Sequence, residues 1–87
     1  DIARLRLGAV LLDEKAYDEA LKALEAAPAS AFVARFAELK GDILVAQGKS
    51  AEARTAYQAA LDKIGSKASG PARELLQQKL DSVGEAA

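Results

Sequence analysis

The sequence predicts an all-α fold, a short right-handed solenoid of two divergent helical hairpins followed by a capping helix. Small and large residues recur in a fixed order after 33 residues: Gly8, Leu11, Ala20, Leu24 and Ala27 return as Gly41, Leu44, Ala53, Tyr57 and Ala60. A repeat of this length is typical of helix–turn–helix arrays. Apolar residues also recur every three to four positions between short polar breaks. We expect a single domain over 1–87 whose parts cover residues 2–28, 30–64 and 71–83.

Repeat one is predicted to contain two helices joined by a short turn. Apolar side chains at helical spacing run from Ile2 to Leu12, and the polar stretch 13–15 then interrupts them. The period resumes at Tyr17 and continues to Ala27. Pro28 is expected to end the second helix, because proline cannot continue a helix. The short turn predicts that the two helices pack antiparallel.

Repeat two follows the same plan. Ser30 is a suitable N-cap for a third helix that runs to about Gln47, and Gly48 follows as a C-terminal stop. Ser50 is expected to cap the fourth helix, which covers Ala51–Ile64. This second hairpin is therefore predicted to stack on the first as the next unit of the array.

The capping helix follows a loop over 65–70. Pro71 occupies the first turn, where a helix tolerates proline well, and the helix is expected to run to about Val83 with fraying from Gly84. One side is apolar and the other is predicted to face water, as a terminal helix of a solenoid requires. The predicted polar side comprises Arg73, Glu74, Gln77, Gln78, Lys79 and Asp81.

Four small residues are predicted to lie where helices cross: Gly8, Ala20, Gly41 and Ala53. A larger side chain at such a crossing would push the helices apart and destabilise the fold by about 1–3 kcal/mol. Tyr57 is expected to pack in the core rather than to contact a ligand. These residues are therefore interpreted as scaffold.

Composition excludes several classes of function. The net charge is −1, with 12 basic and 13 acidic residues, so the basic excess of a nucleic-acid-binding protein is missing. The chain has no cysteine and no histidine, which removes the common metal ligands and the common general base. We expect neither an enzyme nor a bound cofactor.

Two further motifs resemble chemical sites but lack the features that such sites require. The carboxylates of Asp13, Glu14, Asp18 and Glu19 lack the alternating ligands and central glycine of a calcium loop. The loop 65–70 has glycines at both ends, but it lacks a preceding strand and the Gly-Lys-Ser/Thr ending of a phosphate loop. The first set is interpreted as a solvated turn and the second as a linker.

The repeats resemble the tetratricopeptide repeat family, and the whole chain resembles more narrowly the YfgM family within it. The residues that carry the narrower resemblance are those of 3–7, 36–44, 47–48, 53–61 and 75–81. The resemblance implies a TPR-like domain on the periplasmic side of the inner membrane, attached to a membrane helix outside this sequence. It further implies an ancillary role at the SecYEG translocon, with the translocon, emerging secretory chains or a periplasmic chaperone such as PpiD as partners.

Two other interpretations remain open at this point. One is a soluble adaptor taken from a longer repeat array, which would be cytoplasmic if the resemblance fails. The other is a regulatory appendage of an enzyme whose catalytic part lies outside this sequence. The first residue, Asp1, already belongs to a helical pattern, so we expect the chain to be a fragment of a longer protein.

A partner-binding face is expected on the concave side, which the first helices of such arrays line. Its predicted residues are Leu5, Leu12, Arg35, Glu38, Asp42 and Val45. An extended partner segment with apolar and polar side chains would suit this set. An alternative is that Leu5 and Leu12 pack against a helix outside this sequence. An uncovered first helix, Ile2 to Leu12, also predicts a homodimer through that helix, or its exchange between two copies.

Overall fold

The computed structural model describes residues 2–25, 32–64 and 70–86 of the chain, with side chains up to residue 83. It confirms the all-α class. The helices are α1 (Ile2–Asp13), α2 (Tyr17–Ala23), α3 (Val33–Ala46), α4 (Ser50–Ile64) and α5 (Pro71–Ala86).

The helices pack in the order that the repeat predicts. Helix α1 packs against α2, α3 packs against α4, and α5 covers α4, while α3 also contacts α1 and α2. The main core lies between α3, α4 and α5. It consists of Leu44, Ala53, Ala56, Tyr57, Ala60, Leu61, Leu76 and Val83.

The two predicted crossings use equivalent residues in the two repeats. A Cβ atom added at Gly8 would lie 3.5 Å from Cδ2 of Leu24, and one added at Gly41 would lie 2.5 Å from Cε1 of Tyr57. Each glycine therefore contacts the large side chain that lies 16 positions further along the same hairpin. Ala20 and Ala53, the small residues of the second helices, are completely buried.

The first helix of each repeat ends in the same backbone motif. After α1, Lys15 adopts a φ of 62°, and the N–H of Ala16 donates to the carbonyl oxygen of Leu11 at 2.8 Å. After α3, Gly48 adopts a φ of 78°, and the N–H of Lys49 donates to Leu44 at 2.9 Å. This six-to-one bond around a left-handed residue is the Schellman motif. The predicted stop at Gly48 is confirmed, and its counterpart in repeat one is a lysine.

Helix α2 ends earlier than predicted. It stops at Ala23 rather than Ala27, because the N–H groups of Leu24 and Glu25 donate to carbonyl oxygens three residues back, at 3.1 and 3.2 Å. Bonds of this type tighten and close the last helical turn. The predicted terminator, Pro28, lies outside the described residues.

Three other helix boundaries also differ from the prediction. Helix α3 begins at Val33 after Phe32, and its predicted cap, Ser30, lies outside the described residues. Ser50 is the first residue of α4 rather than its cap, since Lys49 supplies the carbonyl oxygen that accepts the N–H of Ala53. Helix α5 begins at Pro71, as predicted. It continues to Ala86 because its backbone bonding is not interrupted at Gly84.

Candidate partner-binding face

A polar cluster joins α3, α4 and α5 on the predicted binding side of repeat two. The Nζ atom of Lys79 donates to Oε2 of Glu38 at 2.7 Å and lies 3.1 Å from Oδ1 of Asp42. The hydroxyl of Tyr57 donates to Oδ1 of Asp42 at 2.6 Å. One lysine therefore bridges two carboxylates that stand one turn apart on α3, and it ties the capping helix to repeat two.

Burial and charge act together on the titration of this cluster. Burial raises the pKa of Tyr57, and the hydrogen bond to Asp42 with the nearby negative charge raises it further. Burial by itself would lower the pKa of Lys79, but its contacts with Glu38 and Asp42 outweigh this and raise it. At neutral pH the lysine is charged and the tyrosine is a hydrogen-bond donor, which are the states that the cluster requires.

A groove of about 240 Å³ opens beside the cluster, between the end of α3 and the face of α5. Val45 of α3 and Leu75 of α5, which are 45% and 48% exposed, both line it. Its remaining lining comes from Tyr57, Gln78, Lys79, Ser82 and Val83. The groove therefore combines apolar side chains with two polar groups and one charged group, which suits an apolar side chain that has a polar neighbour.

The six predicted binding residues fall into two groups. Glu38, Asp42 and Val45 stand together around the cluster and the groove. The other three are not part of either feature: Arg35 is exposed, and Leu5 and Leu12 are half-buried on α1. Two of the predicted ligand contacts, Glu38 and Asp42, already have an intramolecular partner in Lys79.

Sequence reasoning missed the contribution of α5 to this face. Lys79 was assigned to the water-facing side, yet its side chain is only 26% exposed and lies between two carboxylates. Leu75, an apolar residue of the same helix, is nearly half exposed. The four-residue spacing of Glu38 and Asp42 was an available signal, because two carboxylates one turn apart favour a cation from a neighbouring helix.

The described residues form neither a metal site nor a membrane-spanning helix. No three histidine, cysteine, aspartate or glutamate side chains in that part of the chain stand close enough to hold a metal ion. Among the same residues, none of the helices is long and apolar enough to cross a membrane.

Comparison with known proteins agrees with the repeat plan. An ancillary SecYEG translocon subunit from Neisseria gonorrhoeae is 48% identical to the chain over 82 residues. The match covers 94% of this chain and 38% of that protein, so the chain spans well under half of its relative. This identity confirms the predicted resemblance to the YfgM family of ancillary translocon subunits. No solved structure matches the chain significantly. Residues 1–85 match the family model described as a tetratricopeptide repeat-like domain, and the chain therefore belongs to that family.

Proposed function

We propose that this chain is a protein–protein interaction module, the periplasmic TPR-like domain of a membrane-anchored accessory subunit of the SecYEG translocon. The observation that carries the proposal is the 48% identity, over nearly the whole chain, to a protein named as such a subunit. A domain of this family that lacks histidine and cysteine suits binding rather than catalysis. Periplasmic chaperones and emerging secretory chains are the proposed partners beside the translocon itself.

The groove between α3 and α5 is the proposed contact region for a partner segment. Val45 and Leu75 supply exposed apolar surface, and Gln78 and Ser82 supply hydrogen-bonding groups on the α5 side. An extended segment that inserts one apolar side chain between the two walls could continue along α3 toward Arg35. Binding sites of this kind combine an apolar pocket with a few polar groups that fix orientation.

Glu38 and Asp42 are both paired with Lys79, so they are unsuitable positions for testing the contact with a partner. Removing either carboxylate would leave Lys79 with one partner fewer, so lost binding and lost stability would be mixed. Val45, Leu75 and Arg35 are exposed and take no part in the described polar cluster. They are therefore the residues on which binding can be changed without disturbing the fold.

The test is site-specific photo-cross-linking in cells, with the domain in its membrane-anchored parent protein. A photoreactive residue at Val45 or Leu75 is expected to cross-link to SecYEG subunits, a periplasmic chaperone or a secretory chain. The same residue at Gln58, on the exposed surface of α4, serves as the matched control. Cross-links from Gln58 equal to those from Val45 would overturn the groove as the contact region.

The identity of the captured proteins tests the functional class. Cross-links to translocon or periplasmic proteins support the proposal. Cross-links only to soluble cytoplasmic proteins would replace it with the alternative of a soluble adaptor that assembles other proteins. A charge-reversing Arg35→Glu variant is expected to reduce capture at Val45 while the melting temperature of the domain stays unchanged.

A further inference from the structure

A groove of about 420 Å³ lies at the boundary between the two repeats, where α2, α3 and α4 meet. This boundary groove receives one apolar residue from each helix: Leu21 is half-buried, and Leu44 and Ala56 are buried. Its charged side chains, which are all exposed, are Lys40, Lys49 and Glu52. Binding pockets of roughly 300–1,000 Å³ combine apolar surface with a few polar groups that fix orientation. The boundary groove therefore has the size and composition of a docking site.

The boundary groove opens on the other side of α3 from the candidate partner-binding face. Lys40 lies two residues from both Glu38 and Asp42, and residues two apart point to nearly opposite sides of a helix. Glu38 and Asp42 belong to the polar cluster with Lys79. Among the described residues, none lines both the boundary groove and the groove between α3 and α5. A protein bound at one groove would therefore leave the other accessible.

The two lysines of the boundary groove are specific to repeat two. Lys40 and Lys49 stand where repeat one has Leu7 and Ala16. Glu52 has a counterpart in repeat one, since the second helix of each repeat carries an acid in its first turn, where the helix dipole favours one. The start of a helix therefore accounts for the glutamate, but the repeat plan does not account for the lysines.

Neither lysine has an ion-pair partner in the described part of the chain. The salt bridges found there all involve Lys79, in the polar cluster on the other side of α3. Two lysines and one glutamate give the boundary groove a net positive charge. The ammonium groups of Lys40 and Lys49 are therefore available to the carboxylates of another protein.

A groove of similar size on α4 and α5 has a different balance of charge. It measures about 410 Å³, and its lining includes Arg54, Gln58, Asp62 and Leu80. Arg54, which stands where repeat one has Leu21, and Asp62 carry opposite charges. Nε2 of Gln58 donates to Oδ1 of Asp62 at 3.2 Å. This groove is therefore neutral and partly bonded within itself, whereas the boundary groove is charged.

We propose that the boundary groove is a second protein-docking site, which takes an acidic segment of a partner that carries one apolar side chain. The apolar side chain packs against Leu21, Leu44 and Ala56, and the flanking carboxylates pair with Lys40 and Lys49. Charge complementarity selects this occupant, because a basic segment would meet two unpaired lysines. The apolar residues lie in a groove, so an inserted side chain suits them better than a flat lipid surface. This proposal does not depend on the proposed translocon role.

Fluorescence anisotropy with a defined peptide tests the selection of an acidic segment. The probe is a short labelled peptide in which one central leucine is flanked by aspartates and glutamates. The chain is expected to bind it with a dissociation constant in the micromolar-to-millimolar range. Replacing the leucine of the peptide with serine, or its acids with lysines, should weaken binding by about fivefold or more. Equal affinity for the lysine peptide would overturn the proposal.

Charge variants of the chain test the contact with the two lysines. Lys40→Glu and Lys49→Glu are each expected to weaken binding of the acidic peptide by about fivefold or more, because attraction becomes repulsion. Glu52→Gln should strengthen it by about twofold, because it removes a like charge. Arg4→Glu makes the same change in net charge on α1, which contributes no described residue to the groove, and should leave the affinity unchanged. Equal losses in Arg4→Glu and the lysine variants would overturn the proposal.

The variants are expected to stay folded. The four substituted side chains are exposed, and none of them takes part in a salt bridge of the described residues. Arg4→Glu also places an acid in the first turn of α1, where the helix dipole favours one. Melting temperatures equal to that of the original chain would confirm that a change in affinity reports the contact.

Amide chemical shifts locate the peptide without any substitution in the chain. Titration with the acidic peptide should shift the resonances of Leu21, Lys40 and Ala56 and leave those of Val45 and Leu75 in place. Shifts confined to Val45 and Leu75 would place the peptide between α3 and α5 and overturn the proposal. An absence of binding at millimolar peptide would also overturn it. Binding of the chain to phosphatidylglycerol vesicles but not to the peptide would assign the lysines to an anionic membrane surface instead.

Discussion

The two repeats share one backbone plan but bury very different amounts of apolar surface. In repeat one, Ala20 is the only buried hydrophobic residue among those described, whereas repeat two and α5 supply Phe36, Ile43, Leu44, Ala53, Ala56, Tyr57, Ala60, Leu61, Leu76 and Val83. The Gly–Leu crossing of repeat one becomes a Gly–Tyr crossing in repeat two, with a hydrogen-bonded hydroxyl. Equal repeat length therefore does not imply equal stability. We therefore expect repeat two with its cap to be the more stable part of the domain.

The largest expected effect comes from the capping helix. Leu76 is 1% exposed and is one of the two largest fully buried side chains among the described residues. Leu76→Ala should lower the free energy of unfolding by about 2–5 kcal/mol, through lost burial and the cavity left behind. Leu7→Ala in repeat one should cost less than about 0.5 kcal/mol, because Leu7 is half exposed. Urea unfolding followed by circular dichroism measures both, and equal losses would refute the difference between the repeats.

The crossing glycines give the next largest difference. A Cβ atom at Gly41 would stand 2.5–3.0 Å from three ring atoms of Tyr57, so Gly41→Ala should destabilise the domain by about 1–3 kcal/mol. At Gly8 the nearest atom is Cδ2 of Leu39 at 3.1 Å, the end of a flexible side chain. Gly8→Ala should be close to neutral, because alanine gains about 1 kcal/mol of helix propensity. The measurement is the unfolding free energy of each variant.

A double variant sharpens this comparison. Repeat one places Leu24 where repeat two places Tyr57. If the ring is what Gly41→Ala meets, Tyr57→Leu should recover part of the loss, and the double-mutant cycle should show a coupling of at least about 0.5 kcal/mol. If the losses of the two single variants simply added, the backbone of α4, and not the Tyr57 ring, would limit how closely α3 and α4 approach.

The comparison also shows how far sequence reasoning reached. The 33-residue interval predicted the helix order, and the small residues at 8, 20, 41 and 53 are buried in the structure. The polar cluster was not predicted. Lys79 lies 37 residues from Asp42 and 41 from Glu38 along the chain, and the packing of α5 brings them together. The end of α2 was misplaced because the apolar period continues through Leu24, where hydrogen bonds to carbonyl oxygens three residues back already close the helix.

Alkaline pH is expected to weaken repeat two selectively. The pKa values of Tyr57 and Lys79 are both raised by folding, so their contribution is complete below the ordinary values near 10 and is lost as pH rises through the raised ones. Lys79→Met should cost about 1–2 kcal/mol at neutral pH, because Glu38 and Asp42 lose their cation. The variant should also show a shallower fall in unfolding free energy above about pH 10. If the unfolding free energy of the variant fell with pH as steeply as that of the original chain, deprotonation of Lys79 would not be linked to unfolding.

The last comparison concerns the turn that ends the first helix of each repeat. Lys15 and Gly48 hold the same left-handed conformation, at φ of 62° and 78°, but only glycine does so without a steric penalty. Lys15→Gly should therefore stabilise the domain by about 0.5–1 kcal/mol, and Gly48→Ala should destabilise it by about 1–2 kcal/mol. Nothing in the described structure stands within 4 Å of a Cβ atom added at Gly48, so the second loss would report backbone strain alone. Melting temperatures that rise for Lys15→Gly and fall for Gly48→Ala would show that the turn of repeat one is strained where the turn of repeat two is not. A loss of stability in Lys15→Gly would mean that the greater freedom of glycine in the unfolded chain outweighs the relief of strain.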